Sequence, residues 1–237
     1  AFISAIMGQT SGQRFNVYLI SGLGADQRVF QKLQFEPQWN IIHIKWIKPL
    51  KNESIQQYSL RLGNQIDTSQ PFSIIGLSFG GSIAQEMAKT LKPQQIILIS
   101  SLSKGAQISP FNKGLIKFLL ASPFAGPILK TPIGLTYKYF GVHTTDEKLL
   151  LKSILKDTDT HFLKWAMRCL LNWDQKSRTP DSFQIHGTAD RLIPAILVDP
   201  DLWIQDGEHL MIYSHAAEIS PVINKQLKLG WRNNQSN

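Results

Sequence analysis

Residues 74–81 read IIGLSFGG. An apolar run rich in β-branched residues stops at Ser78, and two glycines open what reads as a helix. The pattern Gly76-x-Ser78-x-Gly80 is weak alone, because glycine and serine are common. Its setting adds weight. A short apolar run before it predicts a strand buried on both faces. The small residues after it permit a tight strand-to-helix turn, where bulkier neighbours would clash. Such a turn lifts the Ser78 hydroxyl from the carboxyl edge of a sheet, where open α/β sheets carry their sites. The plain alternative is a glycine-rich turn with no chemistry attached.

Five further runs resemble this strand: VYLI (17–20), IIHIKWI (41–47), QIILIS (95–100), SFQIH (182–186) and DLWIQ (201–205). With SIIGL (73–77) they make six candidate strands. Helical patterns lie between them at about 26–34, 54–67, 80–91 and 209–229. Asn52 or Ser54 is placed to cap the second helix, and Pro93 stops the third. Short strands alternating with helices predict an α/β fold with a mostly parallel sheet of about six strands, flanked by helices. From about 102 to 180 the alternation breaks. DEKLLLKSILKD and THFLKWAMRCLLNW read as helices between Pro- and Gly-rich turns, with no strong strand. The expected organisation is a core of 14–101 and 181–232, a helical cap inserted at 102–180, and a flexible N-terminal segment at 1–13.

The chain has 237 residues and a net charge of +8. Residues 102–180 hold 12 Lys/Arg and 5 Asp/Glu, so most of the excess sits there. The basic residues are scattered singly, which favours a solvated helical face over a nucleic-acid surface. An anion- or membrane-binding role would rest on this segment alone. No run of about 18 apolar residues is present to span a bilayer. The opening AFISAIMGQTSGQ lacks the length and basic start of a signal peptide, and Met7 reads as the natural start. The single cysteine, Cys169, allows no internal disulfide and fits a reducing, cytoplasmic setting. Among apolar neighbours at helical spacing, it reads as a small core residue.

A serine hydroxyl needs a base to take its proton. Of the six histidines, His209 in DGEHLMIY follows the strand DLWIQ near the sheet edge and can reach the elbow. His43 lies within a strand, and His186 at a strand end reads as structural. His143 and His161 belong to the helical insertion, and His215 lies further along the helix that begins near His209. The base needs an acid to fix its tautomer. IHGTADRLIP offers Asp190 one βα unit before His209. Asp199, Asp201 and Asp206 are rivals, the first two flanking Pro200 in what reads as a turn. A developing oxyanion would meet the backbone N–H of Phe79 and, from SGLGADQRVF, that of Leu23.

Together SGLGADQRVF, IGLSFGG, IHGTADRLIP and GEHLM resemble the oxyanion loop, nucleophile elbow, acid loop and histidine loop of the α/β-hydrolase fold superfamily, in that order. The resemblance covers about 17–229 and is to a small serine hydrolase or esterase with a helical cap. Ser21 stands where many members carry histidine, and Glu208 where many carry glycine. The short N-terminus leaves no room for the superfamily's first two antiparallel strands, which implies six parallel strands. The resemblance implies a carboxylesterase with a Ser78–His209–Asp190 triad and an acyl-enzyme. Its substrates would be carboxylic esters or related acyl compounds of small to medium size. No metal or organic cofactor is implied. Apolar cap residues, Phe118, Phe162 and Trp165 among them, are expected to line the substrate pocket, and Phe124 belongs to the same apolar set. Short to medium acyl chains are expected to be preferred, without interfacial activation. The expected partner is a small-molecule ester, with neither nucleic acid nor stable membrane insertion. Two alternatives stay open: a lyase or carbon–carbon bond hydrolase on the same fold, and a ligand-binding protein that keeps the triad with little turnover.

Overall fold

Six strands rich in Val, Ile and Leu form one sheet: β1 (Phe15–Ile20), β2 (Trp39–His43), β3 (Phe72–Leu77), β4 (Gln95–Ile99), β5 (Ser182–Gly187) and β6 (Leu202–Ile204). The structure, a computed structural model, describes residues 15–122 and 130–235. The segment expected to be flexible at 1–13, and Phe124, lie outside them. The strand order is β2-β1-β3-β4-β5-β6. Every pairing is parallel. The order reverses between β1 and β3, and Ser78 follows β3 there. Each strand divides its side chains between two cores with the two-residue period of a pleated strand. Tyr18, Ile20, Ile74 and Leu98 face one core, while Val17, Leu19, Ile75 and Ile97 face the other. All six residues of β3 are buried, so it needs apolar residues on both faces.

Helices α1 (Ile55–Leu62) and α2 (Phe79–Leu91) cover the first face. Ser54 caps α1 and forms a capping box with Gln57. Helices α7 (Met211–Ser214) and α8 (Ala216–Gln235) cover the second face. The chain between β4 and β5 is helical throughout its described elements: α3 (Pro110–Ala121), α4 (Gly134–Phe140), α5 (Thr145–Asp157) and α6 (Thr160–Asn172). Here α5 and α6 part company. Leu150, Leu151 and Ile154 of α5 pack into the second core, while Phe162, Trp165 and Ala166 of α6 pack into the first. The α5–α6 pair therefore straddles the edge of the sheet.

Three sequence-based elements need correction. The helix expected at 26–34 is a single 3₁₀ turn over Gln27–Phe30. Asp26 caps it, but the Arg28 side chain folds back onto the Asp26 carboxylate and the next turn does not form. The strand expected to run to residue 47 ends at His43 because β2 is an edge strand with one neighbour. Beyond it the Trp46 ring stacks on Phe79, 5.8 Å between centroids. The helix expected over 209–229 starts at Met211 and breaks at His215, so His209 sits in the preceding loop.

Candidate active site

Ser78 occupies a backbone conformation that non-glycine residues rarely adopt, with φ 50° and ψ −119°. The turn is held from several sides. Ser78 N–H donates to Ile99 O at 2.9 Å, which extends the β3–β4 ladder by one bond. Its carbonyl accepts from Gly81 N–H at 3.0 Å and from the Ser101 hydroxyl at 2.7 Å. Gly80 is required by space, since a Cβ there would lie 2.3 Å from the Ile20 carbonyl oxygen. Backbone strain at Ser78 is thus stabilised by close packing of β1, β3 and α2.

The loops after β5 and β6 bring Asp190 and His209 to this serine. Ala189 N–H donates to Gly207 O at 2.9 Å, which locks the two loops together. His209 Nδ1 lies 2.9 Å from Asp190 Oδ2, and Nε2 lies 3.0 Å from Ser78 Oγ. A carboxylate only accepts, so the proton sits on Nδ1, and Nε2 accepts from the Ser78 hydroxyl. Asp190 Oδ1 accepts from the N–H groups of Leu192 and Ile193 at 2.9 and 2.8 Å. Burial acts to raise the Asp190 pKa. His209, His186 and the Ile193 N–H outweigh it and hold the carboxyl below its ordinary value. The acid is therefore ionised and oriented.

His186 is a second histidine at this carboxylate. It is fully buried, with Nε2 2.9 Å from Ile193 O and 3.4 Å from Asp190 Oδ2. Both neighbours accept, so its proton sits on Nε2. Its Nδ1 is buried with no hydrogen-bond partner among the described residues. Burial pushes its pKa down and keeps the ring neutral. The remaining candidates lie elsewhere. His43 ends β2 beside Phe30, and His215 contacts Ser214. Asp201 pairs with Arg178, and Asp206 occupies an exposed turn at φ 57°.

Phe79 is the first residue of α2, so its N–H has no partner within the helix and faces outward at its positive end. The loop carrying Leu23 runs alongside: a Cβ on Gly22 would lie 3.4 Å from Ser78 Cβ. Ser21 holds this loop through its hydroxyl, which donates to Ala25 O at 2.7 Å. Trp46 Nε1 donates to the same carbonyl at 2.9 Å. Gly24, at φ 72°, presents its carbonyl to the Thr158 hydroxyl at 2.7 Å. The α5–α6 junction is thereby bonded to the loop beside Ser78.

Many solved structures are similar to this one. A bromoperoxidase from Bacillus anthracis superposes with a TM-score of 0.73 at 15% identity, over 92% of this chain and 93% of that one. An esterase from Exiguobacterium antarcticum gives 0.69 at 13%, again over 92% and 93%. A hydrolase from Oleispira antarctica gives 0.67 at 16%, over 90% of both chains. The chain has the α/β-hydrolase fold. The sequence matches no family model and no curated protein.

In this α/β-hydrolase fold, the helices between β4 and β5 treat the three expected pocket residues differently. Phe162 and Trp165 are each 5% exposed and pack on Phe79, at ring-centroid distances of 6.4 and 6.0 Å. Trp165 Nε1 also donates to Glu53 O. Phe118 is 67% exposed and joins neither core. Phe162 lines a cleft of about 690 Å³ with Gly24, Ala25, Trp46 and Ile47, on the β2 side of the loop carrying Leu23. Ser78 and His209 do not line it. Sequence reasoning also missed contacts around His209. Phe140 stands edge-on to its ring at 5.7 Å, and Leu210 N–H donates to Phe140 O at 3.0 Å. Glu208 bridges His143 of the helical segment to Arg191 of the acid loop. The one signal for this bridge was a glutamate where glycine is usual.

Proposed function

We propose that this chain is a serine hydrolase of carboxylic esters or related acyl compounds of small to medium size. Ser78 attacks the acyl carbonyl as His209 Nε2 takes its proton, giving a tetrahedral oxyanion. The N–H groups of Phe79 and Leu23 are the donors assigned to that oxyanion. Collapse expels the alcohol, which takes the proton from His209, and leaves an acyl-enzyme on Ser78. Water, deprotonated by His209, then releases the acid. Asp190 stays ionised throughout and steadies the imidazolium. Residues 102–180 act as the cap, with the α5–α6 junction fixed against the loop carrying Leu23.

The observation that carries this reading is the unbroken chain from Ser78 Oγ through His209 to Asp190, at 3.0 and 2.9 Å, mounted on a strained elbow. The esterase and hydrolase among the structural neighbours agree with it. The test is turnover of p-nitrophenyl acetate, butyrate, octanoate and palmitate. Many turnovers per molecule are expected, with catalytic efficiency rising along the chain and then levelling before palmitate. Each further buried methylene is worth up to about 0.8 kcal/mol until the pocket is full. Release of one equivalent or none would instead support a ligand-binding protein. Highest efficiency on palmitate would overturn the size class.

A further inference from the structure

Among the described residues, six of the eleven exposed large apolar side chains lie on or beside α3, α4 and the turn after the acid loop: Phe111, Leu115, Phe118, Ile133, Leu135 and Ile196. They are not scattered singly, as isolated surface apolar residues are. Phe111, Leu115 and Phe118 recur at i, i+4 and i+7 and share one face of α3, a helix with no buried residue. The helices α3 and α4 meet the acid loop at adjacent positions. Asn112 Nδ2 donates to Leu192 O at 2.7 Å, and Arg191 Nη1 donates to Lys138 O at 3.2 Å. Ile196, 92% exposed, follows in the 3₁₀ turn after that loop.

The charge of the segment that carries α3 and α4 has one sign. Residues 105–145 contain Lys113, Lys117, Lys130 and Lys138 and no aspartate or glutamate. That composition selects the occupant. A second copy would set these lysines against the same lysines, with no acid in the stretch to pair them. An anionic lipid surface satisfies both halves: phosphate or carboxylate headgroups for the ammonium groups, and the acyl boundary for Phe and Leu.

We propose that α3, α4 and the 195–197 turn form a peripheral docking face for an anionic lipid bilayer. The contact is adsorption, since no described helix is long and apolar enough to cross a membrane. A cleft of about 470 Å³ lies at this face, lined by Leu135, Lys138 and Tyr139 on one side and Asp190, Arg191 and Pro194 on the other. Docking would turn that cleft toward the lipid.

The test is co-sedimentation with sucrose-loaded vesicles of phosphatidylcholine, with and without 30% phosphatidylglycerol. The protein is used with Ser78 intact and as Ser78→Ala, so binding is read independently of hydrolysis. Binding to the anionic vesicles is expected, at least about tenfold weaker on pure phosphatidylcholine and weaker again at high salt. Phe111→Asp with Phe118→Asp, both on exposed positions, is expected to lower vesicle binding about tenfold or more while the melting temperature is unchanged. Lys113→Gln with Lys117→Gln should lower it only for anionic vesicles. The proposal is overturned by absent binding to anionic vesicles, by equal binding to both compositions, or by full binding of the Phe variant. Dimerisation abolished by the Phe substitutions, without vesicle binding, would assign the face to a second copy instead.

Discussion

The two halves of the helical segment between β4 and β5 are built from similar residues and behave oppositely. Helices α5 and α6 bury Leu150, Leu151 and Ile154 on one side of the sheet and Phe162, Trp165 and Ala166 on the other. Helix α3 holds no fully buried residue, and α4 only half-buries Tyr137 and Phe140 against the second core. Apolar content does not separate them, since α3 (PFNKGLIKFLLA) is at least as apolar as α5 (TDEKLLLKSILKD). Anchoring does. Its source is not the caps, since Ser109 caps α3 just as Asp159 caps α6. Thr158 ties their junction to Gly24, and Arg28 reaches Asp157 and Ser153. Side-chain hydrogen bonding joins α3 to the sheet side at Asn112. One half closes over the core beside Ser78, and the other turns the Phe111, Leu115 and Phe118 face of α3 outward.

Paired truncations probe this contrast most strongly. Trp165→Ala removes a buried ring from the cluster around Phe79 and strips Glu53 O of a donor. A loss of about 3–5 kcal/mol is expected in denaturant unfolding. Phe118→Ala should change stability by less than about 0.5 kcal/mol. Similar losses at both positions would show that α3 is packed as firmly as α6, and would break the comparison.

Acid should act on the anchored core more than on the outer helices. His186 and His43 both have pKa values lowered by burial. The unfolded chain therefore takes up protons at a pH where the native state refuses them. Stability is full above the ordinary histidine range near 6.5 and falls as pH drops through it, by up to about 1.4 kcal/mol per pH unit for each histidine. The Asp190 carboxyl, also lowered, adds a loss at more acid pH, as pH falls through its native value. His186→Gln keeps a donor toward Ile193 O and removes a titrating ring. It should flatten the decline between pH 7 and 5, measured by urea unfolding at each pH. An unchanged slope would remove His186 as its source.

Smaller effects sharpen the same contrast. Thr158→Val deletes the hydroxyl that meets Gly24 O, at a cost of about 1 kcal/mol, read as a fall of ~2–4 °C in melting temperature. Cys169 sits on the buried face of α6, and burial pushes its thiol pKa up to about 12. Iodoacetamide should leave activity unchanged in the folded protein, and rapid inactivation would show that α6 opens.

The sheet was legible because its strands are buried on both faces, so each writes itself as an unbroken apolar run between breakers. All six lie where those runs predicted, with β4 and β6 each a residue or two shorter than expected and the edge strand β2 ending four residues early. The residues near Ser78 were legible for a related reason. A parallel sheet gathers the loops after β1, β3, β5 and β6 at one edge, so chain order alone brings Gly22, Ser78, Asp190 and His209 together. No such register governs the helical segment. Phe118 and Phe162 look alike in sequence, and only tertiary packing separates an outward face from a core. The same holds for Ser101, Thr158 and Phe140, whose contacts join residues 23 to 134 positions apart. The 26–34 helix failed locally, through a side chain that satisfied its own cap.

The central claim is that His209 and Asp190 activate Ser78. The most direct measurement is the rate and position of labelling by a fluorophosphonate, mapped by mass spectrometry. The account predicts one adduct, on Ser78, absent in Ser78→Ala. Labelling should slow by about three orders of magnitude or more in His209→Ala. An adduct on another residue, or an equal labelling rate in His209→Ala, would contradict it.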